Sequence, residues 1–434
     1  MSEKKSFSDK IVSIVMDKLT APMAKIADNV ILNAIKDGLV GATPIIIIGS
    51  LFLLLATLGQ PWIGNGGPLV PVLTPISAQL LVAYNLTMNI LSLYACIGIS
   101  MSYAKHHGID LLGAALLGLM SFILLTTSTI TDGAISLAPF AASGLFAAII
   151  GSIFAVWVYR MCIKKNLVIK MPPGVPQGVG NAFSALIPFA IVAIVTWGLR
   201  SIVGFDIISL LSKVMEPLFK ATDNIFVFSL RMFLANLLWF TGLHGDNMLG
   251  PIIQPLTLAW IAENGQAVAA GVDLYNLPHI WTTALERMTQ WPAASWGLLF
   301  WMWRSKVKYI KTLAIAVTPA LIFTITEPLT FGLPIVLNPF LLIPYVLSST
   351  VAAIVSYGAM ALHLVSRTFI ELPWATPPPV FAYIATGGDL KAVLLVVVNF
   401  LIGIAMYYPF FKAFEKAEMK KELEAAEENA VESV

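Results

Sequence analysis

The chain is a succession of long apolar runs, and their lengths set the first expectation. Gly38 to Ala104 contains no Asp, Glu, Lys or Arg. Leu111 to Tyr159 holds one such residue, Asp132, and Met171 to Leu199 holds none. Thr312 to Ser366 holds only Glu327, and Ala392 to Phe411 is uninterrupted. A bilayer core about 30 Å thick takes about 20 apolar residues of helix to cross. Its lack of water forces every backbone polar group into internal hydrogen bonds, which long helices supply. With breaks at Gly and Pro, the runs predict about ten crossings: an all-α integral membrane fold.

Composition agrees, with 58% hydrophobic and 12% charged residues, against about 25% charged in soluble domains. The placement of the charges orients the chain, because Lys and Arg in short loops stay on the cytoplasmic side. Lysines precede the first run, the turn Gly59 to Pro68 is bare, Lys105 follows the second crossing, and Arg160, Lys164, Lys165 and Lys170 follow the fourth. Arg304, Lys306, Lys308 and Lys311 form a further inside cluster, as do Lys412, Lys416, Lys420 and Lys421. Both termini are therefore expected in the cytoplasm. The divisions expected are 1–38 as a cytoplasmic amphipathic segment, 39–215 and 216–411 as transmembrane halves, and 412–434 as a cytoplasmic charged tail, solvated and mobile from Glu422 to Val434. Phe7 to Leu39 reads as an amphipathic surface pair broken at Pro22, or equally as an ordered cytosolic cap, and not as a secretory signal. Cys96 and Cys162 have no partner spacing and read as packing residues. A net charge of +2 gives no reason to expect a nucleic-acid partner.

A charge at the bilayer centre costs about 2.5 kcal/mol or more, so lone ionisable residues in apolar runs are the first functional candidates. Glu327 is the clearest, in Thr326-Glu-Pro-Leu-Thr-Phe-Gly-Leu-Pro-Ile-Val-Leu-Asn-Pro339, where Pro and Gly break the helix. It is expected to face a polar pocket, where desolvation would raise its pKa and suit it to take a proton from a substrate hydroxyl. A protonated acid tying two helices together fits its position equally well. The second break is Trp239-Phe-Thr-Gly-Leu-His-Gly-Asp-Asn-Met-Leu-Gly-Pro251. Here Gly242 and Gly245 allow close backbone approach, His244 can donate or accept a hydrogen bond, and Asp246 and Asn247 can bind hydroxyls. The other histidines show no ligand-like spacing with His244, so no metal site is expected, and no cofactor. The third break, Glu371 to Asp389, carries consecutive prolines and is expected to be a non-helical loop. Trp374 within it offers an indole face for a sugar ring, although most membrane tryptophans sit in interfacial belts. Trp291, Trp296, Trp301 and Trp303 read as such a belt. Asn181 to Pro188 suggests a helix start without chemistry.

Residues alone leave open a phosphoryl-transfer permease, a proton-coupled secondary sugar transporter, and a non-transporting receptor or scaffold. Together the segments resemble the membrane-embedded IIC component of bacterial sugar phosphotransferase systems, in the lactose/cellobiose/diacetylchitobiose branch. The resemblance is carried by Ala34 to Phe52, Met171-Pro-Pro-Gly-Val-Pro176, Gly242-Leu-His-Gly245, Glu327 to Pro339, and Leu372-Pro-Trp-Ala-Thr-Pro-Pro378 with Ala385-Thr-Gly-Gly-Asp389. It implies ten transmembrane helices with re-entrant hairpins in a homodimer in the bacterial plasma membrane. The N-terminal half would make the dimer contact and the C-terminal half would hold the sugar. A cytosolic phospho-IIB protein would phosphorylate the β-linked disaccharide. By motif, Glu327 matches the glutamate beside the reactive hydroxyl and His244 the histidine bonded to the same sugar; Asn247 and Trp374 complete the expected substrate-binding set. Thr326 and Asp246 depart from the residues expected there.

Overall fold

The computed structural model describes residues 29–432 except 61–67, 69, 128–129, 173, 334 and 337. The amphipathic pair up to position 28, with its break at Pro22, and most of the Gly59 to Pro68 turn lie outside the described residues. Within them the chain forms sixteen α-helices. In order these are α1 (Val30–Leu58), α2 (Ser77–Asn85), α3 (Leu91–Lys105), α4 (Leu111–Thr126), α5 (Leu145–Lys164), α6 (Gln177–Trp197), α7 (Ile207–Thr222) and α8 (Ile225–Phe240). There follow α9 (Gly245–Ala269), α10 (Thr283–Trp291), α11 (Gly297–Trp303), α12 (Lys308–Ile322), α13 (Glu327–Gly332), α14 (Leu342–Ala361), α15 (Pro378–Ala385) and α16 (Leu390–Glu432). Among the described residues six helical stretches are long and apolar enough to cross a membrane, and α4 and α8 are shorter apolar helices.

Side-chain caps fix several starts. Asn29 Oδ1 accepts from Ile31 N at 3.0 Å and opens α1, and Asp110 Oδ2 accepts from Gly113 N at 2.7 Å and opens α4. Asn224 and Thr282 do the same for α8 and α10. Each cap satisfies N–H groups that have no partner within their own helix. Residues 30–39 are the first turns of α1 and are continuous with the apolar run.

The chain divides into two compact units, one holding residues 26–221 and 250–272 and the other 222–249 and 273–434. In the first, α3 packs against α1, α4 and α5. Small residues let these helices approach closely, the packing that works where burial from water gives no drive. A Cβ on Gly98 would lie 2.5 Å from the Gly38 carbonyl oxygen, so both positions must be glycine for α1 and α3 to pack this closely. Buried hydroxyls add bonds between helices: Ser152 Oγ donates to Cys96 O at 3.1 Å, and Ser121 Oγ to Gly151 O at 3.1 Å. Cys96 and Cys162 are both buried and unbridged, as packing residues are. Asn181 also has a structural task, since its Nδ2 donates to Asp110 Oδ1 at 3.0 Å and ties α6 to the cap of α4. Asp132 and Gly133, at φ 53° and 77°, make the tight turn between Thr131 and Ala134 that the charge pattern marked.

In the second unit α14 packs on α8 and α16, and α10 lies against α14 and α15. Between α10 and α11 the chain widens to a π-helix, Pro292–Trp296. There a proline removes a donor and the helix backbone meets that of α16, so that a Cβ on Gly297 would strike Gly403. The tryptophans are not a lipid belt throughout. Trp291 is buried in the core, Trp296 Nε1 donates to Leu321 O at 2.8 Å, and Trp301 Nε1 donates to Ile404 O at 2.8 Å. They fasten helices together. Helix α16 runs unbroken for 43 residues, a length of about 64 Å. The tail therefore begins as a helical extension and not as loose chain. Its Glu415 accepts from Lys306 N at 2.8 Å and its Glu418 from the Tyr309 hydroxyl at 2.8 Å, which joins the two basic clusters assigned to one side.

Gly98→Val is expected to destabilise the protein by about 1–3 kcal/mol through overpacking. The measurement is thermal unfolding in detergent, beside a Gly41→Val control at an exposed position of α1 where a Cβ meets nothing within 4 Å.

Candidate functional site

All four sequence-predicted site residues fall in the unit that holds 222–249 and 273–434. Helix α8 ends at Phe240, and a four-residue turn with Gly242 at φ 87° leads into α9 at Gly245. A Cβ on Gly245 would collide with the Ala235 carbonyl, so glycine lets the turn fold back against α8. The segment does not dissolve into loop as expected: Asp246 and Asn247 lie in the first turn of α9, which runs on through Pro251 and Pro255. The Asn247 N–H donates to His244 Nδ1 at 3.2 Å. That bond requires Nδ1 to be the unprotonated nitrogen, which leaves Nε2–H as the donor. The His244 ring lies against Trp239 with centroids 4.2 Å apart. His244 and Asn247 are exposed.

Glu327 opens α13. The preceding helix α12 ends with Thr324 in the left-handed region at φ 62°, the position glycine usually takes in such a helix stop. The Ile325 and Thr324 N–H groups donate to Ala320 O and Leu321 O at 3.0 and 3.1 Å. Pro328 then occupies the first turn of α13, where no N–H is needed, so it starts a helix instead of breaking one. The Glu327 side chain is exposed, which corrects the expectation of a desolvated carboxylate. The lone-charge argument found the residue, but the reversal at Thr324 turns it outward.

Trp374 is 55% exposed. Its carbonyl accepts from Thr324 Oγ1 at 2.9 Å, so one β-branched residue joins the Glu327 turn to the Trp374 segment. The two prolines after Pro377 do not keep that segment extended to its end. Pro378 and Pro379 form the first turn of α15, again where donors are dispensable. The His244 and Glu327 segments also meet. A Cβ on Gly242 would lie 3.4 Å from Val336, and the Tyr345 hydroxyl feels the charge of both Asp246 and Glu327.

Beneath the exposed groups lies a buried charge cluster that the sequence reading missed. Arg231 is 7% exposed, and its Nη2 pairs with Asp246 Oδ1 at 2.8 Å and Glu286 Oε2 at 2.7 Å. The remaining oxygens accept indole N–H groups, Asp246 Oδ2 from Trp239 at 3.0 Å and Glu286 Oε1 from Trp281 at 2.8 Å. Gln290 bridges Arg231 to Asn236, whose Nδ2 donates to Tyr345 O at 2.9 Å and Ser349 Oγ at 2.6 Å. Asp246 is thus occupied by the protein. Arg287 lies within electrostatic range of Asp246, Glu286 and Glu371. Two guanidiniums then face three carboxylates, and the balance closes when one of the three holds a proton. Burial pushes Glu286 upward as well, but Glu286 has Arg231 directly on its carboxylate. The proton falls to Glu371, in the segment between α14 and α15, where burial pushes the pKa up to about 7 although Thr283 donates a hydrogen bond to it. Arg231 stands alone among apolar residues between Asp223 and Asp246, the same signal that exposed Glu327.

Residues 36–349 match the sequence family described as phosphotransferase system, EIIC. The cellobiose-specific EIIC component of Geobacillus stearothermophilus is 34% identical, with 95% of this chain and 96% of that protein covered. The lichenan permease IIC component of Bacillus subtilis (strain 168) is 32% identical over 95% and 96% of the two chains. Among solved structures, the transporter ChbC, the IIC component from the N,N'-diacetylchitobiose-specific phosphotransferase system, superposes with a TM-score of 0.86 at 31% identity. That match covers 94% of this chain and 99% of the other. The protein is an all-helical membrane permease component, and the chain belongs to the EIIC family of the phosphotransferase system. Components of this family act with IIB partners.

Because folding raises the Glu371 pKa, the native state holds a proton that the unfolded chain releases between the ordinary carboxylate range and about pH 7. Its contribution to stability is therefore fullest at low pH and falls as pH rises through that window. Glu371→Gln is expected to remove this slope, worth up to about 3 kcal/mol. Thermal unfolding from pH 5 to 8 should show wild type losing stability against the variant as pH rises; parallel curves would mean that Glu371 is ionised throughout.

Proposed function

We propose that this protein is the sugar permease of a phosphoenolpyruvate-dependent phosphotransferase system. It carries a β-linked disaccharide of the cellobiose or diacetylchitobiose type across the membrane for phosphorylation by a separate cytosolic phospho-IIB protein. The reading includes ten transmembrane helices with re-entrant hairpins, both termini in the cytoplasm of a bacterial cell, and a homodimer. Residues 39–215 make the dimer contact and residues 216–411 hold the sugar. The specificities named for the cellobiose, lichenan and diacetylchitobiose relatives support the substrate class.

One observation carries the reading. The turns that bear His244, Asn247, Glu327 and Trp374 are tied together, and each of the four side chains is exposed. A sugar asks for this mixture: hydroxyls need donors and acceptors, and the apolar ring face suits an indole. His244 Nε2–H and the Asn247 amide supply hydrogen bonds, and Trp374 supplies the stacking face. Glu327 accepts the proton of the attacking sugar hydroxyl while that hydroxyl's oxygen takes the phosphoryl group from the IIB phosphocysteine. An O–P bond forms, the S–P bond breaks, and the thiolate leaves on IIB. Phosphoryl transfer depends mainly on positioning and charge, so an accessible carboxylate serves without being desolvated.

Membrane vesicles supplied with phosphorylated IIB are expected to accumulate phosphorylated disaccharide. Accumulation of unmodified sugar, driven by a pH gradient, would establish a secondary transporter instead. Glu327→Gln is expected to lower phosphoryl transfer by about 10²-fold or more, as loss of a general base does. Disaccharide affinity should change far less, because a base acts mainly in the transition state. Equal losses in the two assays would leave Glu327 as a binding residue only. His244→Ala is expected to weaken equilibrium binding of cellobiose or diacetylchitobiose by about tenfold, the worth of one hydrogen bond to a ligand hydroxyl.

A further inference from the structure

The exposed imidazole of His244 stands at the end of a chain of contacts that starts at a buried charge. Arg231 is fixed on α8 by Asp246, Glu286 and Gln290. Asp246 spends one oxygen on Arg231 at 2.8 Å and the other on Trp239 Nε1 at 3.0 Å. That second bond fixes the Trp239 indole, and the His244 ring packs against that indole at a tilt of 42°, 4.2 Å between centroids. His244 is held from its other side by the Asn247 N–H on Nδ1, and Asn247 is the residue next to Asp246 in the same helical turn. The ring is thus held on one side through the Asp246 carboxylate and its indole, and on the other by the backbone of the helical turn in which Asp246 sits.

We infer that Asp246 and Trp239 are positioning residues for His244, with Arg231 as their anchor, so that a carboxylate that does not touch the sugar sets how His244 Nε2–H meets it. The inference rests on the reading of His244 as a sugar-binding residue. It also gives Asp246 a task other than the hydroxyl binding that its place in the sequence suggests. Its two oxygens are committed to protein donors, and its side chain is 15% exposed while its neighbours His244 and Asn247 face outward. A residue that only stabilised the core would lower affinity by a route independent of His244. A residue that works through His244 loses its effect once the imidazole is gone.

The test uses the full-length protein in detergent, labelled with ¹⁵N-histidine, and the variants Asp246→Asn, Trp239→Phe, His244→Ala and Asp246→Asn/His244→Ala. Trp239→Phe keeps a ring under His244 and removes the donor to Asp246, so it serves should Asp246→Asn fail to fold. Calorimetry with N,N'-diacetylchitobiose and with cellobiose is expected to show about tenfold weaker binding in Asp246→Asn and less than about twofold further loss when the same change is made in His244→Ala. The His244 ring nitrogens, identified by their disappearance in His244→Ala, are expected to pass from the Nε2–H form to a mixture of tautomers in Asp246→Asn and in Trp239→Phe. Equal affinity losses in both backgrounds, or ring signals unchanged by either variant, would overturn the inference. Should the ring signals shift while His244→Ala binds both sugars as wild type does, the positioning stands and the sugar-binding reading of His244 falls.

Discussion

A guanidinium removed from water costs several kcal/mol unless partners replace its hydration. Arg231 meets that demand with two carboxylates on one nitrogen, and each carboxylate passes the demand on to an indole N–H. The arrangement draws α8, the start of α9 and α10 together around one point. Remove any one member and a charged or polar atom is left buried without its partner, so the segments cannot shift independently. The exposed residues assigned to the sugar stand on this base, which explains how turns rich in glycine and proline hold a definite geometry.

The base is also nearly neutral by composition. Arg231 and Arg287 oppose Asp246, Glu286 and Glu371, and the last of these titrates near neutrality. Excess charge is thereby avoided in a place where water cannot screen it. A proton on Glu371 makes the segment that carries Trp374 responsive to acidity, while the turn that carries His244 is fixed through a fully ion-paired carboxylate. Two neighbouring stretches are thus held by different means.

Much of this was legible in the sequence. Runs without charge gave the apolar helices, because a period of burial without polar interruption has few other solutions. Lone glutamate in such a run singled out residue 327, and the glycines around His244 marked the second turn. Two readings missed the same point, that proline acts by position. Pro328, Pro378 and Pro379 look like breakers in a string of letters, yet each sits in a first turn where its missing N–H costs nothing. The exposure of Glu327 was not legible, because it depends on a left-handed residue at Thr324, a backbone choice that a β-branched side chain ordinarily disfavours. Arg231 was within reach of the lone-charge rule, but its partners Asp246 and Glu286 are 15 and 55 positions away along the chain, and spacing alone does not pair them.

The long last helix carries a mechanical meaning. A hydrogen-bonded rod of 43 residues transmits displacement along its length with little loss, and near its far end Glu415 and Glu418 grip the Lys306 to Tyr309 turn. Pro409 deprives the ladder of one rung just before that grip. Bending is cheapest at the missing rung, so the part of the rod beyond Pro409 has a single joint about which to turn against the apolar part.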